Sequence, residues 1–127
     1  MKLRIKGNSL RFRLGHSEVD EFAASGVIGD KVRFGGPSGN DLYYVLKTTD
    51  GNEFSGTFAD GKITVTVPGS VVDAWAAGLE VSIEGVHQPD ADTELAFLIE
   101  KDFVCLNAHN DDDQSDRYPH PKGPEAC

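Results

Sequence analysis

The chain has 127 residues, 39% hydrophobic and 26% charged, with a formal net charge of −9 at pH 7. That length suits one domain whose core needs neither disulfides nor a metal to fold. The acid excess argues against general nucleic-acid or anionic-membrane binding, and no apolar run approaches the roughly 20 residues of a membrane helix.

Residues Met1 to Leu14 alternate basic and apolar residues, where a signal peptide would need a continuous apolar stretch. Lys2-Leu3-Arg4-Ile5-Lys6 and Ser9-Leu10-Arg11-Phe12-Arg13-Leu14 flank Gly7-Asn8, which predicts a hairpin with a two-residue turn. Such a turn pairs Ile5 with Leu10 and Leu3 with Phe12. On the other face it sets Arg4 against Arg11 and Lys2 against Arg13, a repulsive arrangement that wants an anionic partner. Ser17 is the expected cap of a short helix that buries Val19, Phe22 and Ala23 and ends at Gly26. Strands follow over 31–34 and 42–48, joined by Gly35-Gly36-Pro37-Ser38-Gly39-Asn40, a stretch without the Gly-Lys-Ser/Thr of a phosphate loop.

Phe54, Gly56 and Phe58, then Asp60-Gly61, then Ile63, Val65 and Val67 predict a second hairpin. A loop at Asp50-Gly51-Asn52 would pair the 42–48 strand with its first arm. Ser70 is the expected cap of a second helix, with Val72, Trp75 and Ala76 inward and Gly78 closing it. His16 adjoins the first cap, and His87 falls in an expected turn at Gln88-Pro89-Asp90. Strands over 79–86 and 95–105 complete the set, and Leu95 to Ile99, apolar on both faces, reads as central. The fold class is α+β: an antiparallel sheet or barrel of about eight strands with two short helices. The expected core is Leu3, Ile5, Phe12, Phe22, Val32, Tyr44, Phe58, Val65, Trp75, Val81, Ile83, Phe97, Ile99 and Phe103.

Ser17-Glu-Val-Asp-Glu-Phe-Ala-Ala and Ser70-Val-Val-Asp-Ala-Trp-Ala-Ala share one pattern, and each sits between strand pairs. The reading is a β-β-α-β-β duplication, with pseudo-repeats 1–52 and 53–106 inside a single domain 1–106. Residues 107–127 form an acidic, proline-containing tail without periodicity.

The start Met1-Lys-Leu-Arg-Ile-Lys-Gly-Asn-Ser-Leu-Arg-Phe-Arg-Leu, and Ser17-Glu-Val after it, resemble a family of small bacterial proteins of unknown function. So do Leu98-Ile-Glu-Lys-Asp-Phe-Val-Cys-Leu106 and Asp112-Asp-Gln-Ser-Asp-Arg-Tyr-Pro-His-Pro121. The resemblance spans nearly the whole chain. It implies a bacterial, cytoplasmic, single-domain protein, and it carries no activity and no functional residue.

Two constellations could carry chemistry. Cys105, His109, Asp111, Asp112, Asp113, Asp116, His120 and Cys127 gather thiolate, imidazole and carboxylate donors, so Cys105, His109, Asp111, Asp113, His120 and Cys127 are candidate ligands of a divalent metal. Their spacing matches no standard finger. A calcium loop starting at Asp111 fails, with Asp116 where Gly is needed and Lys122 where Glu is needed. In the absence of a signal peptide, both cysteines read as reduced thiols. The second constellation is the stripe Lys2, Arg4, Lys6, Arg11 and Arg13, a candidate cradle for a phosphate or other anion. With Glu80, Glu84 and Glu100 nearby, a metal-assisted phosphoryl site can be drawn. The layout distantly resembles duplicated tunnels that hydrolyse triphosphates, but Lys2-Leu-Arg-Ile-Lys6 stands where their E-x-E-x-K signature would be. A third possibility joins the two: Asp111 to Asp116 lie against Arg4, Arg11 and Arg13, with Tyr118, Pro119 and Pro121 on apolar surface.

With no catalytic motif, the chain reads as a non-enzymatic binding or accessory protein with a protein partner or a small anion. The alternatives are a metal-binding protein working through the tail and a phosphate-directed hydrolase working through the basic hairpin.

Overall fold

A computed structural model describes residues 1–37, 39–78 and 80–103. The basic alternation at the start forms β1 (Lys2–Lys6) and β2 (Ser9–Leu14), paired in the expected register: Lys2↔Arg13, Leu3↔Phe12, Arg4↔Arg11, Ile5↔Leu10. Next come α1 (His16–Ser25), β3 (Val27–Arg33) and β4 (Asp41–Thr49). The second half supplies β5 (Ser55–Ala59), β6 (Lys62–Pro68), α2 (Gly69–Ala76), β7 (Ser82–Asp90) and β8 (Thr93–Lys101). Two four-stranded sheets result, ordered β1-β2-β8-β7 and β3-β4-β6-β5.

The α+β class holds, but among the described residues both sheets are mixed and no barrel closes. At the centre of each sheet the strands run parallel, β2 beside β8 and β4 beside β6. Two-residue periodicity marks which face of a strand is buried and is silent on which distant strand lies beside it. The expected pairing of residues 42–48 with the strand after Asp50-Gly51-Asn52 is replaced for the same reason. β6 inserts between β4 and β5, setting Leu46 beside Val65 and Tyr44 beside Ile63. That neighbour is far more apolar than Gly56 would have been.

Three strands of each sheet share a register, while β7 on β8 is two residues out of step with β3 on β4. Leu10↔Phe97 and Phe12↔Ile99 in one correspond to Ile63↔Tyr44 and Val65↔Leu46 in the other, each residue displaced by the same 53 positions. The hairpins obey the same displacement, with Arg4↔Arg11 matched by Thr57↔Thr64 and Lys2↔Arg13 by Ser55↔Thr66.

The helices begin earlier than the serines suggest. Gly15 caps α1, its N–H donating to Glu18 Oε1 at 2.9 Å and its carbonyl accepting from Val19 at 3.0 Å. Pro68 precedes α2 and Ser70 lies inside it. A glycine in β2's turn into α1, and a proline pre-set in φ at the second entry, leave the serines no capping role. Gly26 ends α1 with φ 79°, and Gly78 follows α2 with φ 93°. His87, expected in a turn, belongs to β7, and the turn falls instead between Asp90 and Thr93.

The core gathers Phe12, Leu14, Phe22, Leu46, Val65, Val67, Val72, Trp75 and Ile99, all fully buried, with Leu10, Val19, Ile28, Ile83 and Phe97 close to it. Leu3 and Tyr44 are partly buried against this cluster. Ile5, Val32, Phe58, Val81 and Phe103, all expected inside, are exposed. Ile5 and Phe58 sit on edge strands beside hairpin turns, Val32 lies near the end of edge strand β3, and Val81 and Phe103 fall outside the strands. Ile5, Phe58 and Val32 are each paired on one side only, and alternation within a strand does not show that the strand lies at a sheet edge.

Candidate anion-binding face

Burying Leu10, Phe12 and Leu14 turns the intervening residues of β2 to the outer face. Arg11 and Arg13 therefore lie beside Arg4 and Lys2 of β1, and a cavity of about 110 Å³ opens among Lys2, Leu3, Arg4, Arg11 and Arg13. Lys6 is exposed at the hairpin end of the same strand. The five cations expected to share a face do so.

What the sequence did not mark is how this repulsive row is held. Parallel pairing with β8 brings Arg13 opposite Glu100 and Arg11 opposite Leu98. Glu100 Oε1 accepts from Arg11 Nε at 2.8 Å and from Arg13 Nε and Nη2 at 3.1 and 3.0 Å. The pairs are partly desolvated: Glu100 is 16% exposed, Arg11 21% and Arg13 31%. Charge-assisted bonds in such a setting are among the stronger polar contacts a surface makes. Asp102 pairs with Lys2 at 3.3 Å, and neither Arg4 nor Arg11 lacks a partner. No spacing rule reaches from Arg13 to a carboxylate 87 positions away, so Glu100 was legible only as a nearby acid.

The outer face of the second sheet carries different chemistry on the same lattice. At the positions of Arg4, Arg11 and Arg13 it has Thr57, Thr64 and Thr66, and at the position of Glu100 it has Lys47.

A second polar cluster joins the chain start to α1. The Met1 ammonium donates to Glu18 and lies 4.0 Å from Asp30, and the Tyr44 hydroxyl donates to the Met1 carbonyl at 3.5 Å. Burial works to raise the Glu18 pKa, but the hydrogen bonds from the ammonium and from Gly15 N–H prevail and hold it below the usual carboxylate value. Burial, with the charges of Asp30 and Glu18, raises the Tyr44 phenol.

The metal reading finds no described counterpart. Cys105, His109, Asp111, Asp113, His120 and Cys127 lie outside the described residues, as does the expected docking of Asp111 to Asp116. Among the described residues no three His, Cys, Asp or Glu side chains come together to hold an ion, Glu80, Glu84 and Glu100 included. Nor, among them, is any helix long and apolar enough to cross a membrane.

No curated protein and no solved structure matches the chain. Residues 1–122 match the model of DUF7009, described as a family of unknown function, and the chain belongs to that family.

Proposed function

We propose that the protein is a non-enzymatic binding module of the cytoplasm, and that the outer face of the β1-β2-β8-β7 sheet is its docking surface for an anionic partner. The carrying observation is the contrast between the two sheets. They share strand order and, over three strands, register, and the second satisfies its outer face with Thr57, Thr64 and Thr66 where the first has Arg4, Arg11 and Arg13. The lattice therefore stands without these cations, and like charges directly across a strand pair are destabilising. A basic row kept where the equivalent sheet uses neutral threonines points to a ligand. The shared register also supports reading residues 1–52 and 53–106 as a duplicated unit, in which one copy acquired the basic face. Glu100 is already engaged by Arg11 and Arg13, so the hydrolase reading draws no support from the described residues.

The test uses heparin as a generic polyanion. A protein of net charge −9 should pass through an immobilised-heparin column unless a local patch holds it. Retention is expected at low ionic strength, weakening steeply with salt, and abolished in Lys2→Ala/Arg4→Ala/Lys6→Ala protein. Flow-through of the wild type at low salt removes the reading.

A further inference from the structure

Resting on that reading, we infer that the cavity among Lys2, Arg4, Arg11 and Arg13 receives one carboxylate at a time from an acidic polypeptide segment, and that Glu100 competes for the same guanidinium groups. Three observations lead there.

The first is the lining. The cavity is bounded by Lys2, Leu3, Arg4, Arg11 and Arg13, so an acid group that enters it meets four cations at once.

The second is that the face already displays its own ligand chemistry. Three guanidinium N–H groups from two residues of one strand converge on a single oxygen, Glu100 Oε1. A second acid engaged at this face, Asp102 on Lys2, is also a carboxylate. Arginine forks are matched to the plane of such a group. Glu100 thus acts as an internal stand-in for the partner's side chain, bound beside the cavity that the partner would enter.

The third is the exchange at equivalent positions. Arg13 faces Glu100 across the β2–β8 pairing, and its counterpart Thr66 faces Lys47 across β6–β4. The carboxylate is present only in the sheet that carries the cations. A glutamate placed to neutralise Arg11 and Arg13 in the free protein becomes a competitor as soon as a second acid approaches. Binding then proceeds by carboxylate-for-carboxylate exchange, which keeps the guanidinium groups paired throughout and avoids leaving a partly buried charge exposed to an apolar neighbour.

The probe is a fluorescein-labelled hexaglutamate peptide, followed by fluorescence anisotropy at low ionic strength. Wild-type protein is expected to bind it weakly, and Glu100→Gln protein about tenfold more tightly, because the neutral amide releases charge-assisted bonds to the incoming acid. Equal or weaker binding by Glu100→Gln, with wild-type binding intact, overturns the competition and leaves the docking surface standing. No binding by either protein overturns both. Binding that survives Arg11→Gln/Arg13→Gln unchanged overturns the assignment of the cavity. If Glu100→Gln folds poorly, the wild type supplies the readout. In nitrogen-15 spectra the Arg11 and Arg13 Nε–H resonances should shift together as peptide is added, and invariant Nε–H resonances at saturation count against exchange. Pyrophosphate as competitor distinguishes the ligand source: displacement of the peptide at equal or lower concentration would show that the cavity prefers phosphate and would sink the acidic-peptide assignment.

Discussion

Glu18 shows how much one side chain can do when two elements converge on it. Its carboxylate closes the first turn of α1 through Gly15 N–H and also receives the Met1 ammonium, fastening β1 to the helix. Replacing it with Gln is expected to cost about 1–2 kcal/mol, the usual range for losing a helix cap and a charge-assisted bond. The effect should depend on pH. The folded-state pKa of Glu18 lies below its unfolded value, so the stabilisation is complete above the ordinary carboxylate range and disappears as pH falls through the folded value. The gap in melting temperature between wild type and Glu18→Gln should therefore close on acidification, and a gap independent of pH would refute the assignment. Tyr44 has the opposite sign. Its raised pKa gives a contribution present below the unfolded phenol value and lost as pH rises through the folded one. At this scale the sequence was informative where residues are local. The five cations were placed on their shared face by alternation alone, whereas Glu100 and the Met1–Glu18 pair required contacts that no local pattern encodes.

At the scale of elements, the close approach of the two sheets is fixed by glycines. A Cβ on Gly85 of β7 would stand 2.4 Å from the Phe54 ring, and one on Gly56 of β5 would stand 2.8 Å from Leu95 and Phe97. Both glycines interrupt otherwise apolar alternation, which the sequence showed only as a gap in the pattern. Gly85→Ala is expected to destabilise by about 1–3 kcal/mol through overpacking, measured by urea unfolding. Combining it with Phe54→Leu should recover part of that loss, because the clash is with the ring itself. Strictly additive effects would mean that the two do not meet. Elements formed by local alternation were legible almost to the residue, as β1 and β2 show. Helix starts were not, because Gly15 and Pro68 enter their helices by backbone geometry and left Ser17 and Ser70 as decoys.

For the whole molecule, Trp75 belongs to a core cluster that draws residues from both sheets and both helices. It is fully buried, its Nε1 donates to the Val81 carbonyl at 3.0 Å, and Lys101 lies 5.8 Å from its ring centroid. Trp75→Ala is expected to cost about 3–5 kcal/mol, with Trp75→Phe costing less because it keeps most of the ring volume. Circular dichroism during urea unfolding should show one transition moved to lower denaturant, and two separated transitions would contradict a single core. Fold class and strand count were legible in the sequence. The parallel centres of the sheets were not, since they depend on which distant strands meet.

That arrangement sets an order of assembly. The β3-β4-β6-β5 sheet is drawn from one continuous stretch, Val27 to Pro68, while the other sheet joins the first strands of the fold to the last. Closing a long loop costs chain entropy before any contact compensates it, so pairings between remote segments form slowly. The continuous sheet can serve as a template on which β8 is delivered to β2. Until that happens Arg11 and Arg13 have no Glu100, and the hairpin is a bare cationic arm on an otherwise acidic chain. On this order the basic hairpin gains its Glu100 partner only at the step that joins the two ends of the described fold.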